Sequence, residues 1–91
     1  MQVECVFFGP FRDEVGEKTV TRGTDAATVG ELLAEVEAAY PGLEGRLLDG
    51  EEVVSEVAVT LNDTHVQHID GAETELSEGD VLRMTPAVYG G

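Results

Sequence analysis

Polar and apolar residues alternate at the start of the chain. Gln2 and Glu4 are polar, Val3, Cys5 and Phe7 apolar. A period of two is that of a β-strand, so Val3, Cys5 and Phe7 are expected to face a core. Val6 and Phe8 then fall on the opposite face, partly exposed. Gly9-Pro10 breaks the strand, and Phe11 to Val15 fit one short helical turn ending at Gly16. A second strand, near Glu17 to Arg22, returns antiparallel to the first, and Gly23-Thr24-Asp25 forms a loop.

The period then changes. Val29, Leu32, Leu33, Val36 and Tyr40 recur at helical spacing, with Glu31, Glu35 and Glu37 on the other side as a solvated face. Thr28 followed by Glu31 is a capping box, which places the helix start at Val29, and Pro41-Gly42 stops the helix. From Leu43 to Glu56 the pattern is weak and predicts a loop with some helical character. Leu43 and Leu47 are expected under the helix, and Asp49-Gly50 marks a turn.

Val57, Val59 and Leu61 alternate with Ala58 and Thr60 in a third strand. Asn62-Asp63 turns the chain into a short fourth, Thr64 to Gln67. Ile69 to Ser77 is loop-like, anchored by Leu76. Gly79-Asp80 launches a last strand, Val81 to Thr85, with Leu82 and Met84 inward and Arg83 and Thr85 outward. Pro86, lacking an N–H, is expected to end the pairing. The order predicts a two-layer α+β domain: four to five strands packed on one main helix, first and last strands parallel at the centre.

Composition narrows the partners. The chain has 91 residues, enough for one domain, and 42% of them are hydrophobic, enough for a core. Acids number 19 against 5 basic residues, a formal charge of -14. That charge argues against nucleic acid and anionic membranes as partners. Lys18 is the only lysine beside Arg12, Arg22, Arg46 and Arg83. A carboxylate-covered surface suits molar salt, where the screening length falls to about 3 Å, so a halophilic cytoplasm is expected; an acidic docking face for a basic partner is the other explanation, and the two are compatible. Cys5 alone permits no internal disulfide. At a core position it is expected to be an inert hydrophobe. The N-terminus lacks a basic segment followed by an apolar run, and no stretch approaches the ~20 apolar residues of a membrane span. A cytoplasmic monomer is expected.

Catalytic sets are hard to find. His65 and His68 have an H-x-x-H spacing, but a strand and a turn need not bring them together, and a closed metal site needs more ligands. Ser55 and Ser77 have no evident His and Asp partners, and no glycine loop with lysine follows a strand. Neither a catalyst nor a resident cofactor is therefore expected. What remains is the end, Thr85-Pro86-Ala87-Val88-Tyr89-Gly90-Gly91. Paired glycines carry no Cβ, so such a segment can thread a narrow channel and present a carboxylate.

Several stretches together resemble the MoaD/ThiS sulfur carriers and the related small archaeal ubiquitin-like modifiers. They are residues 7–16 (Phe-Phe-Gly-Pro-Phe-Arg-Asp-Glu-Val-Gly), Thr28-Val29-Gly30-Glu31-Leu32-Leu33, Val59-Thr60-Leu61-Asn62, Leu76-Ser77-Glu78-Gly79-Asp80, Pro86 and Gly90-Gly91. The resemblance implies the ubiquitin-like β-grasp fold over residues 1–86, with residues 87–91 a flexible tail. It also implies a carrier cycle. An E1-like enzyme, using ATP and magnesium, would adenylate the Gly91 carboxylate, with Val88, Tyr89 and Gly90 threading its active site. The activated acyl group would then pass to target lysines as an isopeptide, or become a thiocarboxylate for molybdopterin synthesis or tRNA thiolation. The large subunit of molybdopterin synthase is a further expected partner. Ala87 and Tyr89 stand where such carriers commonly hold a second proline and a small residue. Tyr89 is either an exposed tail aromatic or an anchor on the partner. Val6, Phe8 and Arg83 form the candidate partner surface, and Lys18 is the candidate acceptor for self-conjugation. The alternatives are a small subunit of molybdopterin synthase alone and a non-covalent acidic binding module.

Overall fold

The opening alternation becomes strand β1 (Gln2–Phe7). This computed structural model describes residues 1–86, so the expected tail, 87–91, lies outside the described residues. After β1 come the short helix α1 (Pro10–Val15), strand β2 (Thr19–Gly23) and the main helix α2 (Val29–Ala39). A hairpin of β3 (Leu48–Asp49) and β4 (Glu52–Val53) follows, then β5 (Val57–Leu61), β6 (Thr64–His65) and β7 (Val81–Pro86). The main sheet has five strands in the order β2-β1-β7-β5-β6. Only β1 and β7 are parallel within it, and they lie side by side as expected, with Val6 opposite Arg83. This mixed sheet crossed by one main helix is the β-grasp arrangement.

The core forms where the two periods meet. Val29, Leu32, Leu33 and Val36 of α2 pack against Val3, Cys5 and Phe7 of β1, Val57 and Val59 of β5, and Leu82 and Met84 of β7, all buried. Burying each large side chain contributes roughly 1.5–3 kcal/mol. Leu43 and Leu47 are fully buried under the helix, and Tyr40 sets its ring edge-on to Phe7 at 6.1 Å. The helix begins as the capping box requires. The Glu31 N–H donates to Thr28 Oγ1 (3.3 Å), while the Glu31 carboxylate reaches one residue further back, to the Ala27 N–H (2.7 Å). Leu76 is buried as expected, because its N–H donates to the Ala27 carbonyl and the Thr74 carbonyl accepts from Val29. The segment before β7 thus braces the helix start. Gly30 fits there for lack of a side chain: a Cβ would lie 3.0 Å from the Ala72 carbonyl oxygen.

Several expectations need correction. Residues 43–56 are not mainly loop with helical character: a 3-10 turn (Pro41–Leu43) leads to the β3–β4 hairpin, in which Leu48 faces Val53. The fourth strand stops at His65 rather than Gln67, because the chain coils into a 3-10 turn (Val66–His68) that buries Val66. Pro86 does not end the pairing; it stands opposite Val57 in the β5–β7 register. Glu35 and Glu37 are not a solvated face. Glu35 accepts from the hydroxyl of buried Thr24 (2.7 Å) and pairs with Arg22 (3.3 Å), tying the β2–α2 loop to the helix. One oxygen of Glu37 accepts from three backbone N–H groups, Gly45 (3.1 Å), Leu47 (3.0 Å) and Leu48 (2.9 Å).

Candidate docking face and tail root

The residues expected to carry the chemistry, Val88, Tyr89, Gly90 and Gly91, lie outside the described residues. Their root does not. β7 is the central strand, so Pro86 sits in the sheet rather than at its edge. Phe8 donates its N–H to the Met84 carbonyl (3.2 Å), continuing the parallel pairing beyond β1. Gly9 then turns the chain away from Pro86. Its φ of +57° favours glycine, and a Cβ there would lie 3.6 Å from the proline ring.

Alternation sends Val6, Arg83 and Thr85 to the sheet face opposite α2. A single row crosses that face, because the registers align Thr19, Val6, Arg83, Thr60 and His65. Phe8 adjoins the row at the tail root. The structure therefore brings together Val6, Phe8 and Arg83, which the sequence named separately. One expectation for them is corrected: Val6 is only 6% exposed. It lies on a strand with neighbours on both sides, Thr19 and Arg83, so the open face leaves it little access. Phe8 and Arg83 are half-buried and remain reachable.

Charge separates this face from the rest of the surface. The outward strand positions include Glu4, but no other carboxylate. Asp63 reaches the row from the β5–β6 turn and accepts from Arg83 Nη1 (2.9 Å). With Asp63 86% exposed that pair contributes at most ~1 kcal/mol, but it fixes the guanidinium over the row. Lys18 is exposed and places its ammonium 5.6 Å from the Phe8 ring centroid. By contrast, Glu31, Glu51 and Glu73 rim a hollow between the start of α2 and the β3–β4 hairpin. The acids thus gather on the helix side, away from the candidate patch.

The other candidates fall where their chemistry is inert or unsupported. Cys5 is buried in the core, and burial pushes its thiol up to about 11; nearby Arg22 opposes the shift, and Glu35 and Glu4 add to it. His65 and His68 do approach, with ring centroids 6.0 Å apart, but among the described residues no group of three His, Cys, Asp or Glu is placed to hold a metal ion. No described helix is long and apolar enough to cross a membrane. Sequence reasoning missed Asp63. The usable signal was Asn62-Asp63 between two strands: a two-residue turn with both residues at positive φ (51° and 75°) throws the second side chain toward the neighbouring strand.

Known proteins extend this picture. The ThiS family matches this chain over residues 5–91. Small archaeal modifier protein 3 of Haloferax volcanii is 45% identical over 92 residues, covering 100% of both chains. Sulfur carrier protein CysO of Mycobacterium tuberculosis is 33% identical over 79 residues, 84% of this chain and 83% of its own. A chain in the crystal structure of the Amycolatopsis orientalis BexX/CysO complex superposes with a TM-score of 0.83 at 34% identity, over 98% of this chain and 99% of that one.

Proposed function

This chain belongs to the ThiS family, and on that premise we propose that it is a ubiquitin-like modifier and sulfur carrier, charged at Gly91 by an E1-like enzyme. The observation that carries the reading is the family match itself, which runs to Gly91 and so takes in Gly90-Gly91. Its full-length similarity to an archaeal modifier and its likeness to a sulfur carrier support the same cycle.

The chemistry is that of an activated acyl group. The Gly91 carboxylate attacks the α-phosphorus of ATP, held with magnesium by the partner enzyme, and pyrophosphate leaves. The resulting acyl-adenylate has a good leaving group, so a nucleophile displaces AMP at the carbonyl. If the nucleophile is a partner's persulfide, a second thiol then cleaves the S–S bond and frees the thiocarboxylate for molybdopterin synthesis or tRNA thiolation. If it is the neutral amine of a target lysine, a C–N bond forms, AMP leaves and a proton is lost. The chain is in either case a substrate of the activating enzyme rather than a catalyst, and works in the cytoplasm. Gly90 and Gly91 let the tail thread the active site, because a β-carbon there obstructs the approach of the nucleophile. Val88 and Tyr89 make the preceding contacts. The sheet face of Val6, Phe8 and Arg83 docks the body of the domain, its low carboxylate content sparing the complex the burial of unpaired charge.

The test is affinity purification from cells in high salt, with and without Gly90-Gly91, followed by mass spectrometry. The full chain should carry a thiocarboxylate at Gly91 or be attached to lysines. Trypsin cuts after Arg83, so conjugated lysines should bear residues 84–91. Loss of both species on deletion of the two glycines is the expected result. Partners and conjugates that survive the deletion would instead mark a non-covalent acidic module.

A further inference from the structure

Two kinds of amine can accept an acyl group on this chain, the lysine side chain and the N-terminus. The N-terminal amine of Met1 is engaged, donating to the Thr24 carbonyl at 2.9 Å in a hollow also lined by Asp25 and Glu35. Lys18 is exposed, and it is the only lysine. Its position is unusual for an acceptor. The ammonium lies 5.6 Å from the Phe8 ring centroid. Phe8 is joined through its N–H to the Met84 carbonyl, and the next residue, Gly9, packs toward the Pro86 ring. One side-chain layer therefore separates the acceptor amine from the root of the tail.

From that juxtaposition we infer that acylation of Lys18 and activation of the same chain at Gly91 exclude one another, so that Lys18 is an end-stop. The inference rests on the carrier reading above. In the acylation, neutral Lys18 attacks the acyl-adenylate of a second copy; the C–N bond forms, the C–O bond to AMP breaks and the amine loses a proton. The cation is removed, and a second domain of 9.7 kDa is fixed against Phe8. The patch that the activating enzyme must reach is then covered by the chain's own kind. A copy already attached to a target through Gly91 needs no further activation, so its Lys18 stays open to acylation. Chains consequently lengthen only at copies that are already attached, and free dimers linked through Lys18 are dead ends.

The test uses the full chain and the E1-like enzyme, reading ATP–pyrophosphate exchange. Lys18→Cys is labelled with a polyethylene-glycol maleimide of about the chain's own mass. Cys5, buried in the core, is protected from the reagent. Ala38→Cys, exposed on α2 away from the sheet face, carries the same label as a control. Each labelled protein is compared with its own unlabelled form, and thermal melts verify that both remain folded. Labelling at position 18 should reduce exchange roughly tenfold or more, the scale of losing a central contact, while labelling at position 38 changes it less than about twofold. Equal exchange for both labelled forms overturns the end-stop and leaves the carrier reading intact. Equal loss at both positions also overturns it, since bulk alone then explains the effect. No exchange with any unlabelled form, the unmutated chain included, overturns the carrier reading and the end-stop with it.

Discussion

Glu37 offers a sharp test of the fold. One of its oxygens accepts from the N–H groups of Gly45, Leu47 and Leu48, and these hold the chain that leads from buried Leu43 through buried Leu47 into the β3–β4 hairpin. Glu37→Ala removes all three acceptors without touching the core. Hydrogen bonds to a charged group contribute roughly 1.5–3 kcal/mol each when well sheltered. The Gly45 bond is exposed and the Leu47 and Leu48 bonds only partly buried, so water recovers much of each. About 2–3 kcal/mol in total is the reasoned cost, or roughly 10 °C or more in melting temperature for a domain of this size. Glu37→Gln keeps a neutral acceptor and should cost about 1 kcal/mol. Removing any carboxylate from a chain of charge -14 also relieves repulsion, which would mask the loss. Melts are therefore run in molar salt and compared with Glu44→Ala, an exposed acid just beyond the helix. Hydrogen exchange supplies the local readout, since the Leu47 and Leu48 amides should lose protection ahead of the core strands. A Glu37→Ala variant within about 0.5 kcal/mol of the Glu44→Ala control, with those amides still protected, would refute the structural role of this carboxylate.

Two further predictions follow from charge and burial. The excess of acids is spread over exposed positions, so stability should rise steeply from low to molar potassium chloride, by roughly 10 °C or more; equal melting temperatures in both would remove the case for salt adaptation. For Cys5, the folded thiol holds its proton to about 11 against an ordinary 9.0, so the unfolded chain releases a proton first as the pH rises. Stability tied to this group is therefore complete below pH 9 and is lost toward pH 11. Relative to Cys5→Ala the loss amounts to about 2–3 kcal/mol over that window; parallel pH profiles for the two proteins in urea titrations would contradict it.

What the sequence disclosed depended on how far each pattern ran. The α2 start was legible because Thr28, Glu31 and the apolar spacing state the same boundary independently. β1, β5 and β7 were legible because alternation over five or six residues outweighs local noise. The β3–β4 hairpin was not, since strands of two residues each show no period. Its turn, Asp49-Gly50, was visible, but what holds it is a bond from the Val54 N–H to the Leu47 carbonyl together with the Glu37 carboxylate, contacts between segments that sequence spacing does not align. The same limit hid the burial of Val6. Alternation assigns a face, whereas access on that face depends on strand order, which here sets β1 between β2 and β7. At the tail root the residues were named correctly, yet their convergence needed the parallel β1–β7 register that puts Val6 beside Arg83.

That register also resolves the tension between salt adaptation and docking. A uniform coat of carboxylates keeps a domain soluble in strong salt, but it obstructs association, because each acid buried in an interface without a partner carries a large desolvation cost. Screening at about 3 Å weakens repulsion between separated surfaces and leaves that cost in place. The solution in this chain is spatial. Acids occupy α2, the loops and the β3–β4 hairpin, while the outward positions of the sheet beside the tail root are threonine, valine, alanine and Arg83, with Lys18 and Phe8 at the margin. Arg83 is held there by Asp63, a carboxylate that reaches in from the turn and stays 86% exposed. A partner equally rich in acids therefore meets a face that presents donors and apolar area. Attraction at such a face is short-ranged, so it survives high salt. The acidity of the whole chain and the chemistry of its sheet face are in this way separate adaptations carried by opposite sides of one sheet.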